Sequence, residues 1–299
     1  MRPQDHRPFA PFAVLALGVA AFSVMDAIMK GLTLALGAYN AIFWRLIVAL
    51  PISGVLYATA RAGRPTRAAM KLHALRGAVN AASAVTFFWG LARMPLAEGV
   101  AISFVAPIIA LFLAALLLGE RIGQGAVLAS LLGISGVIVI LWPQIATPGR
   151  VRDLWGAASI LLAAALYAYN LILLRQQAQI AGPQEVTFFQ NLVITLCLLV
   201  FAPLLAQAPS VPHLPMLIAA AVLVSAANLL FAWAYRRAEA QHLAPLEYSA
   251  LLWAAILGYG MFGEAIRPTT IAGAALIIAG CSIAARSGRR QLSPAEAVA

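Results

Sequence analysis

Residues 89–136 read WGLARMPLAEGVAISFVAPIIALFLAALLLGERIGQGAVLASLLGISG, and residues 233–280 read WAYRRAEAQHLAPLEYSALLWAAILGYGMFGEAIRPTTIAGAALIIAG. The second stretch keeps the frame of the first without a gap, 144 residues later. Trp89 and Trp233, Arg93 and Arg237, Gly119-Glu120 and Gly263-Glu264, and Gly136 and Gly280 all hold that offset. In each copy an apolar run ends at the Gly-Glu pair and a second apolar run follows. Each copy therefore predicts two membrane-length helices joined at a Gly-Glu corner and preceded by an aromatic helix end. Internal repetition of hydrophobic segments marks transporters whose halves enclose a site near the middle of the bilayer.

Composition points the same way. With 63% hydrophobic and 10% charged residues and a mean hydropathy of +0.91, the chain lacks the polar surface to cover a soluble globule of 299 residues and is expected to be an integral membrane protein. The net charge of +10 does not call for nucleic acid, because Lys and Arg fall mostly in short gaps between apolar runs, where they set topology. Cys197 and Cys281 both lie in apolar segments and read as small buried hydrophobes rather than a disulfide or metal pair. The basic start and apolar run of residues 1–24 resemble a signal peptide. The helical pattern continues past Asp26 and Lys30, however, so the segment is read as an uncleaved first span.

A hydrocarbon core about 30 Å thick needs roughly 20 mainly apolar residues per helix. Ten segments qualify, spans 1 to 10: 11–35, 39–60, 75–93, 97–118, 124–142, 154–175, 186–206, 213–235, 243–262 and 268–286. The linker 143–153, with Pro143, Pro148 and Gly149, separates a first repeat (1–142) from a second (154–286), and a polar tail (287–299) follows. Five spans per half is an odd number, which inverts the second half relative to the first. Fourteen Lys and Arg residues fall in the gaps on one side, including the loop from Arg61 to Arg76, and five on the other, with Arg45 inside span 2. Positive residues prefer the cytoplasm, so both termini are expected there, in a multi-pass protein of the cytoplasmic (inner) membrane.

Ten spans in two inverted halves, Pro107 thirteen residues before Gly119-Glu120, and Phe43-Trp44-Arg45 in span 2 together resemble the drug/metabolite transporter superfamily. Within it the pattern resembles the EamA-type bacterial exporters, and among these it is most similar to the aromatic amino acid exporters. The resemblance covers residues 11–286. It implies a basket-like all-α bundle with a central cavity lined by spans 3, 4, 8 and 9, ringed by 1, 2, 6 and 7, with 5 and 10 as outer supports. One departure stands out: Leu251 occupies the position matched to Pro107, and the second half carries Pro245 earlier.

Candidate site residues follow from polarity inside apolar spans. Asn80, Ala84, Phe87 and Leu91 share a face of span 3, and Val224, Asn228, Phe231 and Tyr235 share the matched face of span 8. Amides are costly against lipid, so Asn80 and Asn228 must face the bundle, bonding another helix or meeting substrate. Trp253, the tryptophan deep within a span, and Ser103 join this substrate-binding set. Pro107 frees a carbonyl one turn back and reads either as a tolerated kink or as a hinge. Asp26 and Lys30 share a face of span 1, with Arg45 at similar depth. Burial cost favours a structural cluster of the three, the alternatives being an outer gate or contact with a substrate carboxylate. Glu247 is read as pairing with Arg236 or Arg237, or else as a proton carrier. Glu98 and the matched His242 read as gate residues or as solvated surface groups. Glu120 and Glu264 read as structural corners, their carboxylates favouring the next helix N-terminus.

His6 and His73 are placed in loops and His213 and His242 at span edges. No metal cluster, phosphate loop or dinucleotide fingerprint forms, so no cofactor is expected and the chain does not read as an enzyme. The reading is a secondary transporter exporting amino acids, of the aromatic or other large neutral kind, or similar small metabolites by alternating access. Transport of phosphorylated sugars or nucleotide sugars is the alternative, a membrane-embedded lipid enzyme a further one. Expected partners are a small-molecule substrate and the bilayer, with no oligomeric state implied.

The charge count makes a direct prediction. Single cysteines placed in the 143–153 linker of a chain lacking Cys197 and Cys281 should react with an impermeant maleimide added to intact cells, and a cysteine at Thr66 should not. The reverse pattern refutes the orientation.

Overall fold

Lipid offers no hydrogen bonds, so a chain this apolar must close its backbone donors and acceptors internally. The computed structural model is accordingly all-α. It describes residues 10–60, 65–118, 124–146, 151–177, 179–235, 237, 243 and 246–290, and over these each of the ten apolar segments contains helix. The first helical stretch, Ala10–Thr59, is broken at Gly37, whose φ of 80° and ψ of 156° suit glycine alone. The break separates span 1 from span 2. Span 3 is Arg67–Leu91, and span 4 is in two pieces, Leu96–Ser103 and Ala106–Leu118. Spans 5 and 6 are Gln124–Ala146 and Val151–Gln177. Span 7 is Pro183–Leu199, span 8 Leu214–Tyr235, span 9 ends with Ala250–Phe262, and span 10 is Pro268–Arg290.

By length and composition, Ala10–Thr59, Leu154–Gln177 and Val211–Tyr235 are long and apolar enough to cross a membrane. Leu96–Ala110, Val127–Pro143, Ala250–Phe262 and Pro268–Ile283 are shorter apolar helices. Span 3 corrects the sequence reading. Thr66 caps it, accepting a hydrogen bond of 3.2 Å from the Ala69 amide, so the helix begins at Arg67 and most of the expected basic loop is helical. His73 and Arg76 are buried on that helix, not in a loop.

Packing between helices follows the repeat. Span 1 lies along span 8, span 3 along span 6, and span 5 along span 10. Exchanging the halves turns the first pairing into the second and returns the third to itself, as a pseudo-two-fold axis requires. The contact between spans 5 and 10 shows the same exchange at atomic scale. A Cβ on Gly136 would stand 2.5 Å from the Gly273 carbonyl oxygen, and one on Gly280 would stand 2.7 Å from that of Ala129. Gly136 and Gly280, like Ala129 and Gly273, keep the 144-residue offset. Small residues let backbones meet this closely, the usual basis of helix association in lipid. On the other face of span 5, Leu131, Ile134, Ile138 and Trp142 are exposed, a lipid-facing stripe.

The side-chain detail at the repeat's opening also recurs. Arg93 donates to the Trp89 carbonyl at 2.7 Å and lies over its indole at 3.3 Å; Arg237 donates to the Trp233 carbonyl at 3.3 Å and lies over that ring at 4.0 Å. The cation–π contact ends both helices alike.

Gly136→Ala should force spans 5 and 10 apart and cost about 1–3 kcal/mol. Gly260→Ala, where an added Cβ meets nothing within 4 Å, should be neutral or stabilise by about 0.5–1 kcal/mol. Thermal unfolding in detergent compares them.

Candidate functional site

The middle of the bundle is built on two broken helices. Span 4 is interrupted at Phe104-Val105 and span 9 at the matched Tyr248-Ser249. Short-range bonds replace the regular ladder at both: Val105 N–H to the Ile102 carbonyl at 3.1 Å, and Ser249 N–H to that of Leu246 at 3.0 Å. The break therefore belongs to the repeat and recurs without a proline at Leu251. Pro107 itself is exposed, at the start of the second piece of span 4. The Phe104 carbonyl accepts from the Cys281 thiol at 3.0 Å, so Cys281 is a donor as well as a small hydrophobe. Ser103 closes on its own helix, donating to the Val100 carbonyl at 2.7 Å. Phe104 and Tyr248 meet edge to face with ring centres 5.3 Å apart. They are repeat mates, which places this contact on the pseudo-two-fold axis.

Aromatic rings gather on one side of this centre. Phe22 of span 1 meets Phe231 edge to face at 5.3 Å, and Phe231 lies 6.3 Å from Tyr235. Trp253 packs in the same cluster, over buried Leu15, Val19 and Ala234. Phe87 packs against Phe88, whereas Leu91 is wholly buried. Asn80 is partly buried and Asn228 exposed. Neither side chain has a hydrogen bond to the protein among the described residues, so neither is held by a helix-to-helix bond.

Charged groups concentrate at the two ends. Where span 3 turns into 4 and span 9 into 10, Lys30 donates to the Met94 carbonyl at 2.7 Å and to Glu264. Glu264 also accepts the Leu96 amide at 2.7 Å, capping span 4. The side chains of Lys30 and Glu264 are 3% and 20% exposed, and the Lys30 ammonium lies 5.0 Å from the Phe262 ring. Glu264 is thus a cross-bundle clamp: Gly263, at φ 65°, forms the corner, but the carboxylate serves another helix and not span 10. Glu98 is 1% exposed, not a solvated surface group. It accepts from Arg267 at 3.5 Å and from Thr270 at 3.4 Å. A small cleft remains among Pro95, Glu98, Gly258, Glu264 and Thr270. The expected cluster of Asp26, Lys30 and Arg45 does not form as an ion-paired group. Lys30 is taken by Glu264, and no oxygen of Asp26 lies within 4.0 Å of Lys30 or Arg45 nitrogens.

At the other end, Tyr235 donates to Glu247. Arg237 sits over Trp233 instead of reaching that carboxylate; Arg236, His242, Pro245 and Glu120 lie outside the described residues. Nearby, His73 bridges spans 6 and 7. Its Nε2 is 2.9 Å from Glu185, its Nδ1 accepts from Gln177, and Gln177 in turn accepts from Arg76 at 2.7 Å. This buried chain escaped the sequence reading. Pro65-Thr66, a helix-start signal ahead of His73 and Arg76, marked it. No group of three or more His, Cys, Asp or Glu is placed to hold a metal among the described residues.

Apolar helices, a duplicated break and a cluster of aromatic rings are the parts of a solute carrier, and a family model decides which kind: the EamA-like transporter model matches residues 11–142 and again 154–286. The chain belongs to the EamA-like transporter family. It is a multi-pass membrane transporter of small metabolites and not an enzyme. Over 275 residues it is 26% identical to the pseudopaline exporter CntI of Pseudomonas aeruginosa, covering 89% of this chain and 92% of that one. It is 27% identical to a riboflavin transporter of Rhizobium johnstonii, over 94% and 93% of the two chains. An S-adenosylmethionine uptake transporter of Rickettsia prowazekii is 25% identical, over 88% and 87%. A solved crystal structure at 18% identity shares the fold, with a TM-score of 0.62 over 95% of this chain and 99% of that one. These relatives of the EamA-like transporter do not single out the aromatic amino acid exporters.

Removing one partner of a buried ion pair leaves the other charge stranded, at about 3–5 kcal/mol. Lys30→Met and Glu264→Gln should each destabilise the transporter by that order, and the double variant should be milder than their sum. Additive losses in a thermal double-mutant cycle would show that the pair does not couple.

Proposed function

We propose that this EamA-like transporter is a ten-span secondary carrier exporting a small zwitterionic metabolite of amino-acid type, with a large apolar or aromatic body. Two inverted halves, 1–142 and 154–286, joined by the linker 143–153 and followed by the tail 287–299, enclose a central cavity, with both termini cytoplasmic. Spans 3, 4, 8 and 9 line that cavity. Asn80, Phe87, Ser103, Pro107, Asn228, Phe231, Tyr235 and Trp253 form its substrate-facing set. The observation that carries the reading is the pair of amides. Asn80 and Asn228 stand in apolar helices, one in each half, and their side chains bond no other described residue. An amide inside a membrane helix without a protein partner has a reason to be there when a solute supplies the bond. One helical turn from Asn228, the ring of Phe231 meets those of Phe22 and Tyr235 and offers an apolar surface of the kind small-molecule sites use.

Alternating access needs ends that close in turn. The Lys30–Glu264 clamp and the Glu98–Arg267 pair suit the outer gate, and Tyr235–Glu247 the inner. Phosphorylated cargo fits less well. It calls for several free inward cations, and Lys30 is already committed to Glu264.

Counterflow into liposomes should rank phenylalanine and tryptophan above alanine and serine, with sugar phosphates and dicarboxylates last. Asn80→Ala or Asn228→Ala should slow the initial rate by about three- to tenfold, the worth of one hydrogen bond, with the yield of folded protein unchanged. Cys197→Ala should alter neither. Preference for a sugar phosphate, or indifference to loss of both amides, refutes the assignment.

A further inference from the structure

Inside the spans, nearly every described charge has a partner. Lys30 has Glu264, Glu98 has Arg267, His73 has Glu185, Arg76 has Gln177 and Glu247 has Tyr235. Asp26 and Arg45 are the exceptions: neither forms a hydrogen bond or ion pair with any described group, and the Arg45 Nε is sealed from solvent without an acceptor. Such groups are expensive in a membrane unless something else completes them.

Both side chains point inward. At about 100° per helical residue, Asp26 lies in the middle of the face formed by buried Leu15, Val19, Lys30 and Thr33, opposite exposed Leu17. Arg45 sits among buried Ala38, Ala41 and Ala49, with exposed Ile47 on the far side. Yet both are only partly buried. Their remaining exposure lies on the faces that the two helices turn toward the bundle. Measured along the helices from Gly37, Asp26 lies about 16 Å and Arg45 about 12 Å away. No oxygen of Asp26 comes within 4.0 Å of an Arg45 nitrogen. Asp26 is one helical turn from Phe22, whose ring meets Phe231. In the second half Asn170 holds the position matched to Asp26, 2% exposed, with its Oδ1 also unpartnered.

We propose that Asp26 and Arg45 are the two charged subsites for a zwitterionic solute, Arg45 receiving its carboxylate and Asp26 its ammonium, with its apolar body against Phe22 and Phe231. This rests on the reading of the chain as a carrier of small zwitterions and names the groups that select them. A gap between opposite charges admits a molecule carrying both, and the site is electrically balanced whether empty or loaded. A lone carboxylate or a lone amine would leave one protein charge stranded.

The test uses the purified full-length protein and four probes: phenylalanine, its methyl ester, its N-acetyl derivative and phenethylamine. Ligand-dependent thermal shift reads binding, and counterflow reads transport. Phenylalanine should stabilise the wild type at concentrations about tenfold or more below those the masked probes need, as a charged hydrogen bond implies. Arg45→Gln should remove the preference over the methyl ester and keep that over the N-acetyl derivative; Asp26→Asn should do the reverse. Arg45→Lys, which keeps the charge, should retain the preference over the ester. Equal response of the wild type to all four probes, or variants with unchanged selectivity, overturns the assignment, as does a thermal loss in each single variant that the double variant restores. Carriage of phenylalanine and its ester alike leaves the carrier reading standing without the pair. Stabilisation by phenylalanine without carriage leaves the pair standing and removes the amino-acid transport reading.

Discussion

A charge carried into hydrocarbon has to find its counterpart within the protein, and in this chain the counterpart is usually on a distant helix. Lys30 reaches Glu264, 234 residues away, and Glu264 reaches the first amide of span 4. Three segments of the chain are fastened by one carboxylate. The same constraint explains the His73 chain, where an imidazole, a carboxylate, an amide and a guanidinium complete one another between spans 3, 6 and 7. It also explains why Asn80, Asn228, Asp26 and Arg45 stand apart: among the described residues their side chains make no hydrogen bond or ion pair, whereas the charges of Lys30, Glu98, Glu264 and Glu185 are each met by a neighbour.

The duplicated frame organises what lies between these fastenings. Glycines at 136, 273 and 280 bring spans 5 and 10 into backbone contact, a junction that leaves little room to slide. Spans 4 and 9, by contrast, are interrupted at matched positions, and a helix in two pieces has a place to bend. Rigid support and flexible centre are thus assigned to different spans by the local residues.

Much of this was legible in the sequence. The apolar runs marked the helices, and the 144-residue offset of Trp89 and Arg93 recurred as the same ring-and-guanidinium contact. What stayed hidden was partnership. Glu264 read as a corner because the adjacent Gly263 explained it locally, and nothing in the sequence pointed to Lys30 or Leu96. Glu247 was matched to arginines nearby in sequence, whereas the helix turns it toward Tyr235. His73 and Arg76 read as loop because basic residues surround them; the Thr66 cap was the quieter signal. Proline at 107 suggested that the halves differ at the break, but backbone geometry keeps the break in both.

The contact between Phe104 and Tyr248 carries one more implication. Under strict two-fold symmetry, whatever one residue presents to its mate it must also receive. An edge-to-face pair at 88° violates this, since one ring offers its rim and the other its plane. Two identical chains meeting at that axis would have to present the same part of each ring. A single chain that carries both halves can place different rings there and give the centre a handedness, so the two sides of the pathway are chemically distinct at the very point where the duplication would make them equal.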